Sequence, residues 1–355
     1  MSNCGVSIAL CTFNGAKYLS PQLESYLVQT HPPDELVICD DRSRDETVAI
    51  LNDFAERAPF PVRIFVNEQN MGSAKNFEKA ISLCSGDVIF LSDQDDVWAP
   101  NKVKRIFDEF QKDHDVGMVF SDAELVDEAL RPLGRNLFDG WITPKLRETI
   151  ENGNLFSILL ERNVVTGATL AFRARYNKAV IPIPVDIPDM IHDGWIAMIL
   201  SVIAGSVLIN EPLVKYRQHD GQQLGMDPRR YVRHSLKLSW KNAMERIEAK
   251  HKVKKEYMES AKRRIVSRIE VPEDIMSLVE AEVRRREDHA EHYRLRNELS
   301  DNRVMRIWPI MRELLSGRYH RCSNGVRAAA RDLVVDHKRK IEYFEIMYRG
   351  KAVID

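Results

Sequence analysis

The sequence predicts an α/β protein with a mainly parallel, doubly wound sheet, followed by a helical C-terminal region. Short apolar runs alternate with amphipathic helical patterns in the first part of the chain. Polar or acidic residues stop each apolar run, and the composition changes near Asp227. Hydrophobic residues make up 44% and charged residues 30% of the 355 residues, which is typical of a globular chain and excludes a disordered one.

The first part of the chain shows strand patterns separated by helical patterns. Short apolar runs predict strands at residues 6–11, 36–39, 62–66 and 87–92. Apolar residues at helical spacing predict helices near residues 18–27, 48–54 and 74–83. Strands that alternate with helices form βαβ units and a parallel sheet, in which ligands gather at the carboxyl ends of the strands.

The elements that follow are less regular. Helices are predicted at residues 102–112 and 155–160, and strands at 116–121, 168–172 and 213–217. Another helix is expected to run from Asp193 into the apolar run at residues 196–209.

The last part of the chain differs in composition. From Arg229 onward Gly and Pro are sparse while Lys, Arg and Glu are frequent, so this tail is predicted to be helical. We therefore expect one domain at residues 1–225 and a helical, basic region at residues 226–355.

The overall charge excludes a strong general preference for nucleic acid or membranes. The net charge is -1, from 52 Lys and Arg against 53 Asp and Glu. Such a preference would have to come from a local patch.

Several observations predict a cytoplasmic protein. The N-terminus lacks the basic start and cleavage site of a secretory signal. The apolar run at residues 196–209 is too short to span a bilayer. The five cysteines, odd in number, fit neither a disulfide framework nor a zinc site and indicate a reducing compartment: Cys4, Cys11, Cys39, Cys84 and Cys322.

An acidic cluster directly follows the strand at residues 87–92. Asp93, Asp95 and Asp96 would repel one another at a strand end unless a cation or a hydrogen-bond network is present. Mg²⁺ and Mn²⁺ prefer such oxygen ligands and often share them with a substrate's phosphates. The alternative is a polar loop whose aspartates cap the helix after Pro100.

A second acidic pair ends the strand at residues 36–39. Because parallel strands share one carboxyl edge, Asp40 and Asp41 are expected near the first cluster. Asp41 or Ser43 would alternatively cap the helix that begins near Asp45. Asp40 is not placed for capping, so a ligand role is favoured there.

Four segments carry a resemblance to a known family. In order along the chain they are residues 6–15 (VSIALCTFNG), 36–47 (LVICDDRSRDET), 70–72 (NMG) and 91–100 (LSDQDDVWAP). Together they resemble the successive motifs of family 2 inverting glycosyltransferases with the GT-A fold, over roughly residues 6–220. The Asp-Gln-Asp-Asp-Val-Trp form resembles the bacterial rhamnosyltransferase-like branch in particular.

The resemblance implies roles for residues in these segments. The nucleoside pocket would be lined by Thr12, Asn14, Asp40 and Asp41, with a carboxylate recognising the base. Asp93 would contact the ribose or the metal shell, and Asp95 would be the chief ligand of a divalent metal, Mg²⁺ or Mn²⁺. Asp96 is expected to support the loop, and Trp98 to pack beneath it.

The resemblance also implies a catalytic base. Asp193, in the segment at residues 191–195, is expected to deprotonate the acceptor, although it would also serve as a helix N-cap. His192 would orient Asp193 or serve structure alone. Gly194 replaces an aromatic residue of the family pattern, so the acceptor wall is expected to differ.

Two further segments complete the implied site. In the loop at residues 163–169, Gly167 would let the backbone approach the sugar, or it forms an ordinary turn. In the segment at residues 216–221, which would close over the diphosphate, Arg217 offers a forked cation for phosphate and His219 a neutral nitrogen for the metal.

The basic tail is open to several interpretations. Runs at residues 252–255, 262–264 and 284–286 form a solvated, charge-laced helical surface or a face that rests on anionic lipid. Self-association through the tail is equally open. No nucleic-acid partner is expected, because the tail's aromatic residues are scattered rather than interleaved with basic ones.

The resemblance implies an enzyme that uses a nucleotide-sugar donor. The expected reaction moves L-rhamnose from dTDP-rhamnose to a hydroxyl of a growing cell-surface polysaccharide or lipid-linked glycan. It would take place in the cytoplasm or at the inner face of the plasma membrane. The alternatives are a transferase for a UDP-hexose or UDP-amino sugar, an inactive nucleotide-sugar-binding protein, and a nucleic-acid-binding scaffold.

Overall fold

The structure, a computed structural model, describes residues 5–140, 142–187, 190–219, 233–336 and 340–346. Its chain divides into two units. The N-terminal unit holds Met1–Gly225 with Arg268–Val271, and the C-terminal unit holds Met226–Ser267 with Pro272–Asp355.

The N-terminal unit is built on one large sheet. Its strands are β1 (Val6–Thr12), β2 (Glu35–Asp40), β3 (Val62–Val66), β4 (Val88–Ser92), β5 (Val97–Trp98), β6 (Val116–Val126), β7 (Pro132–Asn136), β8 (Leu170–Arg173) and β9 (Gly205–Arg217). They lie in the order β3-β2-β1-β4-β8-β6-β9-β5, with β7 paired to β6.

Helices connect these strands. They are α1 (Ala16–Leu27), α2 (Thr47–Arg57), α3 (Ser73–Leu83), α4 (Lys102–Lys112), α5 (Pro144–Glu151), α6 (Leu155–Glu161), α7 (Asn177–Val180) and α8 (His192–Ile203). In α4, for example, Val103, Ile106 and Phe110 recur at helical spacing and are fully buried, which turns the apolar stripe inward.

The first strands are parallel, and they bring the predicted site loops to one edge. Thr12 pairs in register with Asp40, and Leu10 with Ser92. The segments after β1, β2 and β4 therefore leave the sheet side by side. This confirms the predicted α/β architecture and the placement of both acidic segments.

The remaining part of the sheet is mixed. β8 runs antiparallel to both β4 and β6, and β5 runs antiparallel to β9, whereas β6 and β9 are parallel. Buried strands read as apolar runs in either direction, so the sequence pattern does not reveal this change of direction.

The apolar run at residues 196–209 forms two elements rather than one helix. α8 ends at Ile203, and Ala204 is extended, with φ -155° and ψ 162°. Gly205 then begins β9. The predicted helix is correct up to this point and wrong beyond it, because a short apolar run does not distinguish helix from strand.

The C-terminal unit is mainly helical, which confirms the predicted helical extension. Its elements are β10 (Arg233–Ser239), α9 (Trp240–Val266), α10 (Glu273–Asn297), α11 (Arg303–Leu315), α12 (Arg318–Cys322), α13 (Gly325–Val334) and β11 (Lys340–Ile346). The antiparallel pairing of β10 with β11 was not predicted. No helix in the described ranges combines the length and apolarity needed to cross a membrane.

The basic runs of the tail are largely ion-paired. α9 and α10 lie antiparallel, since Lys255 pairs with Glu287 at 2.9 Å and Lys262 with Glu280 at 2.8 Å. Further pairs within the two helices are Lys252–Glu248, Arg285–Glu282 and Arg286–Glu282. These contacts favour the solvated, charge-laced interpretation of the runs, and a membrane role for them stays a prediction.

Candidate active site

The loops after β1 and β2 are joined by hydrogen bonds at the carboxyl edge of the sheet. Thr12 Oγ1 donates to Asp40 Oδ2 over 2.7 Å, and the amide N–H of Asn14 donates to Ser43 Oγ over 2.8 Å. Asn14 Oδ1 in turn accepts a hydrogen bond of 2.8 Å from the amide N–H of Arg44. The residues predicted to line the nucleoside pocket thus form one network.

Left-handed backbone occurs in the same two loops. Asn14 has φ 47° and Arg42 has φ 66°. Such conformations in residues other than glycine are strained and collect at functional sites. The strain supports the placement of a binding site at these loops.

The two carboxylates that end β2 are buried and hydrogen-bonded within the protein. Asp40 accepts the N–H of Ser43 at 2.8 Å and its hydroxyl at 2.6 Å. Asp41 accepts the amide N–H groups of Met71 at 2.7 Å and Gly72 at 2.8 Å. Both side chains fix the loops around the predicted pocket, and their contact with a nucleobase stays a prediction.

Neither Asp41 nor Ser43 caps the start of α2, which was the alternative role considered for them. The helix begins at Thr47, whose N–H donates to Asp45 Oδ1 over 3.1 Å. Asp45 therefore serves the helix start, and the capping interpretation of Asp41 and Ser43 is wrong.

The acidic loop after β4 is held against the end of β9. His219 Nε2 lies 2.8 Å from Asp95 Oδ2. The amide N–H of Arg217 donates to Asp96 Oδ1 over 3.0 Å, and Arg217 Nε donates to the Asp95 carbonyl oxygen over 2.6 Å. The two side chains predicted as metal ligands are thus neighbours, although they are far apart in sequence.

The loop concentrates negative charge. Burial raises the pKa of Asp93 to about 8, and the neighbouring carboxylates of Asp95 and Asp193 add to the increase. Burial also raises the pKa of Asp96 well above its usual range, and Asp95 and Asp93 contribute to it. Because a divalent cation would relieve this repulsion, the donor set fits one.

A cation here would need ligands from the substrate. Within the part of the chain that the structure describes, no three His, Cys, Asp or Glu side chains are grouped to hold a metal ion. Mg²⁺ and Mn²⁺ commonly complete their coordination with substrate phosphates and water. Asp95 and His219 are therefore suited to a metal that arrives with, or is completed by, a phosphorylated ligand.

Arg217 braces the acidic loop. It is buried, and its guanidinium donates to the carbonyl oxygens of Asp95 and Glu128. The guanidinium carbon also lies 4.9 Å from the ring centroid of Tyr18. The predicted contact of Arg217 with a diphosphate stays a prediction, and Asp220 and Gly221 of the same predicted segment lie outside the described residues.

Asp193 lies in the first turn of α8 with its carboxylate held by three donors. Asn163 Nδ2 donates to Oδ1 over 2.9 Å, and the amide N–H of Gly167 donates to Oδ2 over 2.8 Å. The amide N–H of Gly194 also donates to Oδ1. Burial raises the pKa of Asp193 to about 6, although these hydrogen bonds oppose the increase. This pKa suits a general base near neutral pH.

His192 does not orient the predicted base. Its ring stacks on Phe77 with centroids 3.9 Å apart, and neither ring nitrogen has a hydrogen-bond partner in the described structure. Burial lowers the pKa of His192 to about 3, so the ring is neutral. The orienting interpretation is wrong, and Asn163 takes that position because its amide reaches Asp193 from the preceding loop.

Two glycines make room for this arrangement. A Cβ on Gly167 would lie 2.8 Å from His192 Nε2, and a Cβ on Gly194 would lie 3.2 Å from Asn163 Nδ2. Gly194 therefore leaves space for Asn163 where the family pattern has an aromatic residue. The predicted approach of a sugar to Gly167 stays a prediction.

Lys102 is a buried amine that the sequence did not single out. It is fully buried, and its Nζ donates to the Ala168 carbonyl oxygen over 2.6 Å and lies 3.6 Å from the centroid of the Trp98 ring. Trp98 is itself buried, packing as predicted. Burial lowers the pKa of Lys102 well below its usual range, while Asp96 and Asp93 oppose the decrease. Lys102 thus links α4 to the turn that carries Gly167.

Gln94 ties the acidic loop to the loop after β1. Its Oε1 accepts the N–H of Phe13 over 2.8 Å, and its Nε2 donates to the Phe13 carbonyl oxygen over 3.1 Å. A Cβ on Gly15 would lie 2.1 Å from Gln94 Oε1, so this contact requires glycine at position 15. Nothing in the sequence around Gln94 indicates that its side chain bonds the backbone of Phe13.

Known proteins share this fold and parts of this sequence. An uncharacterised glycosyltransferase of Nostoc sp. is 30% identical over 219 residues, which cover 60% of this chain and 65% of that protein. Chondroitin synthase of Escherichia coli is 36% identical over 122 residues, which cover 34% of this chain and 18% of that protein. The chain therefore spans less than two thirds of the length of either relative.

A solved structure shows the same fold at low identity. The structure of S. aureus TarS 1–349 in complex with UDP-GlcNAc has a TM-score of 0.50 and 15% identity, covering 99% of this chain and 100% of that chain. Residues 7–178 match the model of the family described as Glycosyl transferase family 2, a span that includes the segments at residues 36–47, 70–72 and 91–100 and all but the first residue of the segment at 6–15. Over these residues, which make up just under half of the chain, the sequence is similar to glycosyl transferase family 2.

Proposed function

We propose that the N-terminal unit transfers a sugar from a nucleotide-sugar donor to an acceptor hydroxyl, with inversion at the anomeric carbon. The observation that carries the proposal is the position of Asp193. It is a buried carboxylate, held by Asn163 and Gly167, and close enough to Asp93 to raise the pKa of that residue. In this proposal the base lies beside the acidic loop that would bind the donor. We assign the activity to a domain at residues 1–225.

Asp193 acts as the general base in this proposal. Its pKa of about 6 leaves it mostly ionised at neutral pH. The carboxylate takes the proton of the acceptor hydroxyl while the hydroxyl oxygen forms a bond to the anomeric carbon. The bond from that carbon to the diphosphate oxygen breaks on the opposite face, and the nucleoside diphosphate leaves. One displacement inverts the configuration, and no covalent bond between sugar and protein forms.

Asp95 and His219 would hold the divalent cation. When bound, it would supply positive charge to stabilise the negative charge that develops on the leaving diphosphate. The neighbouring loops would position the donor: Thr12 and Asn14 on the nucleoside side, together with Asp40, Asp41 and Asp93. Gly167 would lie beside the sugar, and Arg217 would keep the loop that carries Asp95 in place.

The donor and acceptor are proposed from resemblance. The segment at residues 93–98 supports L-rhamnose from dTDP-rhamnose, with UDP-sugars as the second choice. The E. coli relative bears the name of a polysaccharide synthase, which supports a growing cell-surface polysaccharide or lipid-linked glycan as the acceptor. We place the reaction in the cytoplasm or at the inner face of the plasma membrane.

A donor panel tests the proposal. The full chain is incubated with dTDP-rhamnose, UDP-glucose, UDP-GlcNAc and GDP-mannose, with Mn²⁺, Mg²⁺ or EDTA, and release of nucleoside diphosphate is measured. We expect metal-dependent release from one donor class, and binding without release in Asp193→Ala. If no donor binds or turns over under any condition, the proposed function is wrong.

A further inference from the structure

Helix α11 exposes most of its apolar side chains and buries two of its charged ones, Arg306 and Glu313. Val304, Trp308, Met311 and Leu315 are all exposed, and at 100° per residue they lie on one stripe with Ile307 at its edge. The opposite side of the helix carries the buried residues, which are Arg306, Ile310 and Glu313. We refer to Val304, Ile307, Trp308, Met311 and Leu315 as the α11 face.

The buried polar side chains fix the rotational setting of α11. Arg306 Nη1 donates to the carbonyl oxygens of Asp332 at 3.0 Å and Val335 at 2.6 Å. The Glu313 carboxylate accepts a hydrogen bond from Arg318 Nη1 at 3.1 Å and lies 3.2 Å from His292 Nδ1. Rotation of α11 to bury the apolar side chains would leave these groups without partners. The α11 face therefore stays outward.

This exposure is large for an isolated helix face. The side chains of Trp308, Leu315 and Val304 are 73%, 81% and 71% exposed. Single exposed apolar residues are ordinary on protein surfaces, but a contiguous set on one face marks an interaction site.

The charges beside the α11 face are positive. Arg303 and Arg312 are exposed and flank the stripe on its two sides. Glu313 is the only acidic residue at positions 302–331, and it is buried. Arginine side chains at the edge of an apolar stripe extend their charges to anionic headgroups, while Trp and aliphatic side chains enter the acyl boundary.

We propose that the α11 face docks the protein on an anionic lipid surface. Its apolar stripe lies in the plane of the interface, with Trp308 and Leu315 inserted and Arg303 and Arg312 on lipid phosphates. The alternative partner for the α11 face is a second copy of the chain. In a two-fold dimer through this face, the same cations would approach one another, and α11 offers no exposed carboxylate to pair with them.

Vesicle co-sedimentation tests the proposal. The full chain is mixed with vesicles of phosphatidylcholine alone or with phosphatidylglycerol, without sugar donor or acceptor, so the result is independent of the transferase proposal. We expect binding to the anionic vesicles that weakens as salt screens the charges. In the double variant Trp308→Ser/Leu315→Ser, we expect the partition coefficient to fall at least about tenfold. Arg303→Gln/Arg312→Gln should remove the preference for anionic vesicles.

Two matched variants separate this surface from others. Val66→Ser/Val185→Ser removes exposed apolar side chains elsewhere, and Lys252→Gln/Arg284→Gln removes cations of the ion-paired runs. Both should bind vesicles like the unsubstituted chain, with circular dichroism confirming that every variant is folded. Equal binding to both vesicle types would overturn the proposal, and so would binding that persists in Trp308→Ser/Leu315→Ser. It would also be overturned if the chain binds no vesicles and instead forms a dimer that these substitutions dissociate.

Discussion

The side-chain amide of Asn163 donates a hydrogen bond of 2.9 Å to Oδ1 of Asp193. Each donor to this carboxylate favours its ionised form, whereas burial disfavours it, and the balance raises the pKa of Asp193 to about 6. Asn163 therefore sets both the direction of the carboxylate and its proton affinity.

Replacement of Asn163 should alter the pH dependence of transfer. Asn163→Ala removes a donor to the ionised carboxylate, so the pKa of Asp193 rises and the acid limb of kcat/KM moves to higher pH, by up to about one unit. We expect kcat at neutral pH to fall about tenfold, because the base is less well oriented. The measurement is a pH–rate profile, with Asn154→Ala as a control in the loop between α5 and α6. An unshifted acid limb would show that Asn163 serves packing alone.

The ionised carboxylate of Asp193 should lower the free energy of unfolding at neutral pH. Its pKa in the folded state is about 6, above its ordinary value of 3.8. Its contribution to stability is therefore fully present below about pH 4 and is lost as the pH rises through 6. Asp193→Asn, which stays neutral, should raise the free energy of unfolding at pH 7.5 by up to about 3 kcal/mol.

The same substitution should lower transfer by about 10²–10⁴-fold, since the base is lost, and Asp193→Ala should abolish transfer while the chain stays folded. Urea unfolding of both proteins at pH 4 and pH 7.5 gives the stability difference. If Asp193→Asn raises the free energy of unfolding equally at both pH values, the pKa of about 6 does not belong to Asp193.

The sequence predicted the first half of the fold better than the second. β1 to β4 have strong apolar runs that end at polar or acidic residues, and each was placed within about two residues. The direction of β8 and the end of α8 depend on tertiary pairing, which an apolar run does not encode. The acidic segments were located correctly because strand ends in a parallel sheet share one edge.

The partners of the site residues were mostly invisible in the sequence. Asn163 bonds Asp193 across 30 residues of sequence, and Lys102, at the start of α4, bonds the Ala168 carbonyl oxygen across 66 residues, so no local spacing reveals either contact. His192 adjoins Asp193 in sequence, but adjacent residues on a helix point in different directions, and it stacks on Phe77 instead. The face of α11 was missed because burial of Arg306 and Glu313 reverses the usual amphipathic pattern.

The proximity of Asp95 and His219 predicts their joint effect on metal activation. Asp95→Ala should abolish transfer without unfolding the chain. His219→Gln should raise the Mn²⁺ or Mg²⁺ concentration for half-maximal activity by about 10-fold or more, since one ligand of the cation is lost.

Chelation of the metal with EDTA should stop transfer by the unsubstituted protein, and added Mn²⁺ or Mg²⁺ should restore it. The measurement is nucleoside diphosphate release across a metal titration, with His31→Gln as the control histidine, which stacks on Phe107. Unchanged metal dependence in His219→Gln would exclude His219 as a ligand.

Lys102 should act as a positioning residue for the base. Its Nζ holds the Ala168 carbonyl oxygen at 2.6 Å, next to Gly167, whose N–H holds Asp193. Lys102→Met keeps the shape of the aliphatic stem but leaves the Ala168 carbonyl oxygen without its donor. The lost hydrogen bond should lower the free energy of unfolding by about 1–3 kcal/mol, and this loss is partly offset because an amine is no longer buried.

We expect kcat of Lys102→Met to fall about tenfold with a smaller change in the donor KM, because orientation of the base affects the transition state more than donor binding. Steady-state kinetics and urea unfolding separate the two effects. Lys104→Met on the same helix removes an exposed cation that pairs with Asp108, and it should change neither quantity. If Lys102→Met loses stability but keeps the kcat of the unsubstituted protein, Lys102 supports the fold alone, and Asp193 is positioned by Asn163 and the α8 backbone without it.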